Sequence, residues 1–95
     1  MKAVDGQADV APADLADIDD FCDALWLEDG LAKASLASYR SDLKHLARWL
    51  AQHGDTRLAE ADESALIGFV AELSGTLKSA SQARYLATIR RFFRH

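Results

Sequence analysis

Apolar side chains fall into a helical rhythm at Leu15, and that rhythm is broken and restarted three times before the chain ends. Leu15, Ile18, Cys22, Leu25 and Trp26 recur at three- and four-residue steps, the spacing that lines one face of an α-helix. Asp14 is the expected N-cap of this first helix and Gly30 its stop. Leu36, Tyr39, Leu43, Leu46, Ala47 and Leu50 repeat the pattern behind Ser35, a second N-cap, and Gly54 ends the run. Asp62 precedes Leu66, Phe69, Val70 and Leu73, a third and shorter helix closed by Gly75. The fourth opens on Ser79 and Gln82, spaced as a capping box, and its core face is predicted to hold Gln82, Tyr85, Leu86, Ile89, Phe92 and Phe93. No stretch alternates with β-branched enrichment, and no Asn-Gly or Asp-Gly pair joins two apolar runs. The expected fold is therefore an all-α, four-helix bundle.

Residues 1 to 13 carry Gly6 and Pro12 without any apolar period and read as a mobile tail, which leaves residues 14 to 95 for the helical domain. The chain stops at Arg94 and His95 with no Gly or Pro terminator, the expectation for a helix cut short in a fragment of a longer protein. At 95 residues, 49% hydrophobic and 27% charged, the chain has the size and balance of one small soluble domain with a modest core. Its single cysteine, Cys22, cannot form an internal disulfide. No signal-peptide pattern and no apolar run of the ~18 residues needed to span a bilayer is present, so the default expectation is a cytoplasmic protein without a membrane partner.

The net charge of −4 argues against a polyanionic partner only until it is divided along the chain. Residues 1 to 30 hold nine Asp and Glu against Lys2 alone, whereas residues 31 to 95 hold ten Lys and Arg against six acids. The second segment suits a polyanion and the first does not.

Signals for catalysis fail one by one. The five glycines are dispersed, without the spacing of a phosphate-cradling loop. Cys22 falls on the apolar face of the first helix and reads as core. His45 and His53 lack a carboxylate arrangement suited to a metal, and both read as solvated or phosphate-facing. Asp14, Asp17, Asp19, Asp20 and Asp23 wrap around a helix instead of converging. No cofactor, metal or small-molecule substrate is expected. The basic residues are more informative. Projection of the second helix gathers Ser38, Ser41, Lys44, His45, Arg48 and Gln52 opposite its apolar stripe, with Arg40 at the flank. Projection of the fourth gathers Arg84, Thr88, Arg91, Arg94 and His95, with Arg90 at the side. Lys and Arg neutralise phosphates while short hydroxyls approach backbone oxygens closely, so the combination fits double-stranded DNA.

Three segments, Phe21 to Leu31 (FCDALWLEDGL), Ser35 to Leu43 (SLASYRSDL) and Ser79 to Phe93 (SASQARYLATIRRFF), resemble the N-terminal core-binding domain of the Xer-type tyrosine recombinases of the phage-integrase family. Ala24 to Glu28 (ALWLE) is most similar to the D-type subunit of that group. The resemblance covers about residues 14 to 95. It implies a SAM-like bundle that arches over the recombination core site, with the second and fourth helices approaching the major groove, and a part in DNA recombination, integration and chromosome segregation. By matching position it implies DNA contacts from Ser35, Ser38 and Arg40, and from Ser81, Arg84 and Arg91; the helical projection adds Ser41, Lys44, Arg48 and Thr88. Where the family often has Asn-Thr and a second Arg, this chain has Ala34-Ser35 and Ser41, which weakens a phosphate contact at Ser41. The family's catalytic tyrosine and its Arg, Lys and His partners reside in a separate C-terminal domain, so the implied role is non-catalytic, with other recombinase protomers as partners. Tyr39 and Tyr85 fall on apolar stripes and are read as core. The competing reading is a protein-interaction bundle that docks through its acidic first helix.

Overall fold

A proline opens the first helix of the computed structural model, which describes residues 10–54 and 56–95. Helix α1 spans Pro12–Ala24, and Pro12 occupies its first turn, where a missing N–H costs nothing. Extended Ala11 precedes it, and its carbonyl accepts from Leu15 N–H at 3.0 Å. The start lies ahead of Asp14, so Asp14 is not the N-cap expected of it. Its carboxylate is buried and accepts instead from the backbone N–H of Leu58 at 3.0 Å, with Arg57 Nε at 3.5 Å. It thereby caps the 3-10 turn Leu58–Glu60 and ties α1 to the connection between the second and third helices. Val10, in the predicted tail, is buried, so the ordered domain begins earlier than position 14; positions 1 to 9 of that tail lie outside the described residues.

Past Ala24 the helix widens into a π turn, Leu25–Asp29, and ends at Gly30, whose φ of 64° is left-handed and whose N–H donates to the Leu25 carbonyl. Trp26 sits on the flank of the face made by Ile18, Phe21, Cys22 and Leu25, and the wide turn leaves it 49% exposed, with Leu27 at 79%. Trp26 is therefore not the core anchor that its spacing predicts; Phe21 is, fully buried and edge-on to Phe92 at 5.3 Å between ring centroids.

Helix α2, Lys33–Gly54, is the longest. Its first bond runs from Leu36 N–H to the Ala32 carbonyl, so Ser35 lies inside the first turn and is not a cap. Helix α3, Glu63–Ser74, is capped as expected: Asp62 Oδ1 accepts from Ala65 N–H at 2.9 Å. Helix α4, Ser79–Arg94, starts behind Lys78 without a side-chain cap. The Ser79–Gln82 box does not form: Lys78 is the N-cap, and the Gln82 side chain is turned back so that its Nε2 donates to the Leu77 carbonyl at 2.8 Å. Among the described residues there is no strand, and the chain is an all-α bundle of four helices.

The core is shared by all four helices. Ile18, Phe21, Cys22 and Leu25 of α1 meet Leu43, Leu46 and Leu50 of α2, Phe69 and Leu73 of α3, and Tyr85 and Ile89 of α4, with Leu58 of the 3-10 turn completing it. Helices α2 and α3 approach closely at Gly68, where an added Cβ would meet Trp49 Cη2 at 3.0 Å. On α4 the buried stripe is Tyr85, Thr88 and Ile89, rotated toward the arginines relative to the projection, and Phe93 is correspondingly exposed.

Phe21→Ala is expected to lower stability by about 3–5 kcal/mol, the cost of emptying a filled aromatic site. Trp26→Ala is expected to cost about 1 kcal/mol or less, since half of that side chain is already in water. Thermal melts followed by circular dichroism separate the two. Equal losses would mean that Trp26 is packed as the apolar spacing alone predicts.

Candidate nucleic-acid interface

The residues expected to face a polyanion divide, in the structure, into three groups. Ser35, Ser38 and Ser41 are exposed along α2, and Lys44 and Arg48 are half-buried beside them. A shallow groove runs along this face, lined by Lys33, Arg40, Ser41, Lys44 and Arg48 with no acidic residue. Lys33, Lys44, Arg48, Arg90 and Arg94 form no ion pair among the described residues. Ser81 is half-buried in the first turn of α4.

The second group is cationic but already partnered. Arg40 of α2 donates to Asp19 of α1, and Arg91 of α4 donates to Asp29 at the end of the π turn, with its Cζ 5.9 Å from the Tyr39 ring centroid. These hydrogen bonds hold both guanidinium groups above their ordinary pKa. Both arginines reach the surface with much of their charge compensated from within the chain. The acidic first helix is thus bound up with the basic face instead of standing apart from it.

The third group is a buried polar knot. Asp42 of α2 is 1% exposed, and its carboxylate accepts from Arg84 Nε at 3.2 Å, Arg84 Nη2 at 2.8 Å and Thr88 Oγ1 at 3.0 Å. Thr88 is fully buried, so it is not the surface hydroxyl that the projection predicts. Its hydroxyl enters the core because Asp42 satisfies it there. Arg84 keeps 53% of its side chain exposed, and the Asp42 hydrogen bond raises its pKa. Sequence reasoning missed Asp42. The available signal is that it is the sole acid in the 22 residues of α2 and borders an apolar stripe.

His45 is half-buried and held in an aromatic cluster, not the freely solvated or phosphate-facing imidazole that its spacing predicts. It lies between Phe69 and Tyr85, at 5.3 and 5.5 Å between ring centroids, and its Nδ1 is 3.0 Å from the Tyr85 hydroxyl. Burial, reinforced by Arg48 and opposed by Asp42 and Glu72, holds its pKa below the ordinary 6.5. Tyr85 is pushed above its usual 10.0 first by burial and then by Asp42. Burial also raises the Cys22 thiol, which makes it a poor nucleophile. Tyr39 is half-buried against the core. Among the described residues no three His, Cys, Asp or Glu side chains gather to hold a metal ion, and no helix is long and apolar enough to cross a membrane.

The site is thus a small helical bundle with one basic, hydroxyl-bearing groove on α2 and a buried polar knot between α2 and α4. The chain belongs to the family "Phage integrase, N-terminal SAM-like domain", whose pattern matches residues 18–95. Over 79 residues, 82% of the chain, it is 46% identical to the tyrosine recombinase XerD of Yersinia pestis and 42% identical to that of Pseudomonas putida. It is 40% identical over 82 residues to the XerD of Ralstonia nicotianae. The chain spans about a quarter of the length of these relatives, 26% in each case. No solved structure matches it significantly.

Arg84→Ala is expected to destabilise the fold by about 2–3 kcal/mol, because it leaves the Asp42 carboxylate buried with Thr88 alone; the exposed half of the guanidinium keeps the loss below that of a fully buried pair. Arg90→Ala, on the open surface, is expected to change stability by about 0.5 kcal/mol or less. Urea unfolding of both variants tests the contrast, and an Arg84→Ala protein as stable as the parent would deny the knot any structural weight. The His45 shift carries a sign. A base whose folded pKa is depressed binds its proton more readily in the unfolded chain, so stability is full above about pH 7 and falls as pH drops through 6.5. Melting temperature measured from pH 7.5 to 5.5 is expected to decline, and to decline less in His45→Gln.

Proposed function

We propose that this chain is the non-catalytic DNA-gripping domain of a site-specific tyrosine recombinase, holding duplex DNA through the outward faces of α2 and α4. What carries the reading is the acid-free groove on α2, where Lys33, Lys44 and Arg48 stand beside Ser41. Point cations and short hydroxyls at helical spacing suit phosphate oxygens spaced along a duplex. Arg90 and Arg94 add exposed cations on α4, in a separate groove shared with Glu28 and Asp29. Membership of the integrase N-terminal family supports the reading, as do the relatives' names, which describe tyrosine recombinases. Strand cleavage and the pairing of recombinase protomers belong to the whole protein in this proposal. Tyr85 is buried with its hydroxyl against His45 and does not serve as a nucleophile. The alternative of docking through an acidic α1 is disfavoured by the engagement of two of its acids within the chain, Asp14 with Leu58 N–H and Asp19 with Arg40.

Fluorescence anisotropy with a duplex of about 20 base pairs, repeated across salt concentrations, tests the proposal. With three or four uncompensated cations engaged, log K is expected to fall against log salt with a slope of about −3. Asp19→Asn and Asp29→Asn free Arg40 and Arg91, so the double variant is expected to bind more tightly at low salt with a slope steeper by about 1 to 2. Affinity independent of salt would exclude a phosphate-led grip.

A further inference from the structure

Helix α3 is the most apolar of the four, yet part of that apolar surface meets water. Phe69 and Leu73 are buried in the core, while Ile67 is 62% exposed. Glu63 and Ala71 lie one turn to either side of Ile67 on the same face, and both are exposed. From Leu58 to Leu77 the chain has no Lys or Arg and four acids, Glu60, Asp62, Glu63 and Glu72. The three glutamates are exposed and form no ion pair among the described residues, in contrast to Asp19, Asp29 and Asp42, which hold arginines. The other exposed apolar pair, Trp26 and Leu27, lacks this uniform field, because Arg90, Arg91 and Arg94 line the groove beside the same π turn. The complement of the α3 face is found in the chain itself. The groove on α2 carries an apolar patch, Leu36 and Ala37, between Lys33 and Lys44, and no acid lines it. Ile67 would lie there on Leu36 and Ala37, with Glu63 and Glu60 set against the lysines. Helices α2 and α3 are packed side by side at Trp49 and Gly68, so their outward faces can meet only between two copies.

We propose that the acidic, apolar face of α3 is an interaction surface for a second copy of this chain, and that it docks head to tail in the basic groove of that copy's α2. Each copy offers one face and one groove, so the contact is heterologous and the assembly can grow beyond a pair. One helix face in one groove buries less than the ~1,200 Å² of a standard interface, and a Kd of about 0.1 to 1 mM is expected. Its consequence for DNA rests on the DNA-binding reading above: the groove that α3 enters is the one proposed to grip the duplex, so self-association and DNA exclude each other.

Nuclear magnetic resonance of the chain without DNA, diluted from about 1 mM to about 0.05 mM at low salt, tests the contact. Amide signals of Ile67 and Ala71 on α3, and of Ala37 and Ser41 on α2, are expected to move together with concentration. The apparent Kd is expected to weaken about tenfold between about 50 and 500 mM salt, as screening removes the attraction. Two variants separate the halves of the contact. Glu63→Gln/Ile67→Gln strips the α3 face of its charge and its apolar anchor, and Lys44→Glu reverses the groove; these side chains reach water, and circular dichroism is expected to show both variants folded. Each variant by itself is expected to stay monomeric by light scattering at about 1 mM, whereas their mixture forms a 1:1 pair that cannot extend, since one intact face meets one intact groove. Concentration-dependent shifts confined to Trp26 and Leu27, salt-independent association, or a mixture that remains monomeric would overturn the proposal. Saturating duplex is expected to return Ile67 and Ala71 to their dilute positions. Persistence of their shifts in a duplex that binds with salt-dependent affinity would overturn the exclusion. Failure of every duplex to bind would remove the DNA-binding reading and the exclusion with it, while the DNA-free measurements decide the self-association separately.

Discussion

The carboxylate of Asp42 is taken out of water, and the relation between α2 and α4 is built around keeping it satisfied. An unpaired buried charge is costly enough that a neighbouring element must present donors to it. Helix α4 does so twice, with the fork of Arg84 and, one turn further on, with the hydroxyl of Thr88. That requirement sets the rotation of α4 about its own axis. Tyr85 and Ile89 turn into the core with Thr88, and Phe93 turns out. It also brings Tyr85 beside His45, so the aromatic cluster of Phe69, His45 and Tyr85 follows from the same polar contact.

Charge in this chain is organised by pairing across long sequence separations. Asp19 and Asp29 come from the acidic first segment, yet they meet arginines of α2 and α4. Exposed pairs of this kind add little stability, commonly 1 kcal/mol or less. Their larger effect is on the field at the surface, since two arginines there are already partly compensated. The acid-free groove of α2 keeps Lys33, Lys44 and Arg48 without ion pairs among the described residues, and at its border Arg40 is engaged by Asp19. Asp14 shows the same economy in a different form: a residue suited to capping its own helix caps a turn more than forty residues away. The proposed grip on DNA rests on a scaffold in which Asp14, Asp19, Asp29, Asp42 and Asp62 are engaged within the chain.

The four helices, their order and most of their core residues are legible in the chain because apolar spacing is a local property. The intervals from Ile18 to Leu25, Leu43 to Leu50 and Phe69 to Leu73 define faces without reference to anything distant. Asp62 as a cap and the glycine stops at Gly30 and Gly54 are local in the same sense, since each acts on backbone groups within a few residues. The split of charge between the two segments, and the family resemblance carried by three ordered stretches, can also be read without coordinates.

Tertiary structure decides what each polar side chain is for. Thr88 projects onto the same side as Arg84 and Arg91, and only the presence of Asp42 across the interface sends it inward. Arg40, Arg84 and Arg91 look equivalent to Lys44 and Arg48 in sequence, yet the first three have carboxylate partners 21, 42 and 62 positions away. Trp26 has the right interval for burial, but a widened helical turn and the left-handed Gly30 place it at the rim. Apolar burial is additive and local enough to be patterned along a chain, whereas the satisfaction of a buried charge is a pairwise condition between elements. Its partners are fixed when those elements pack.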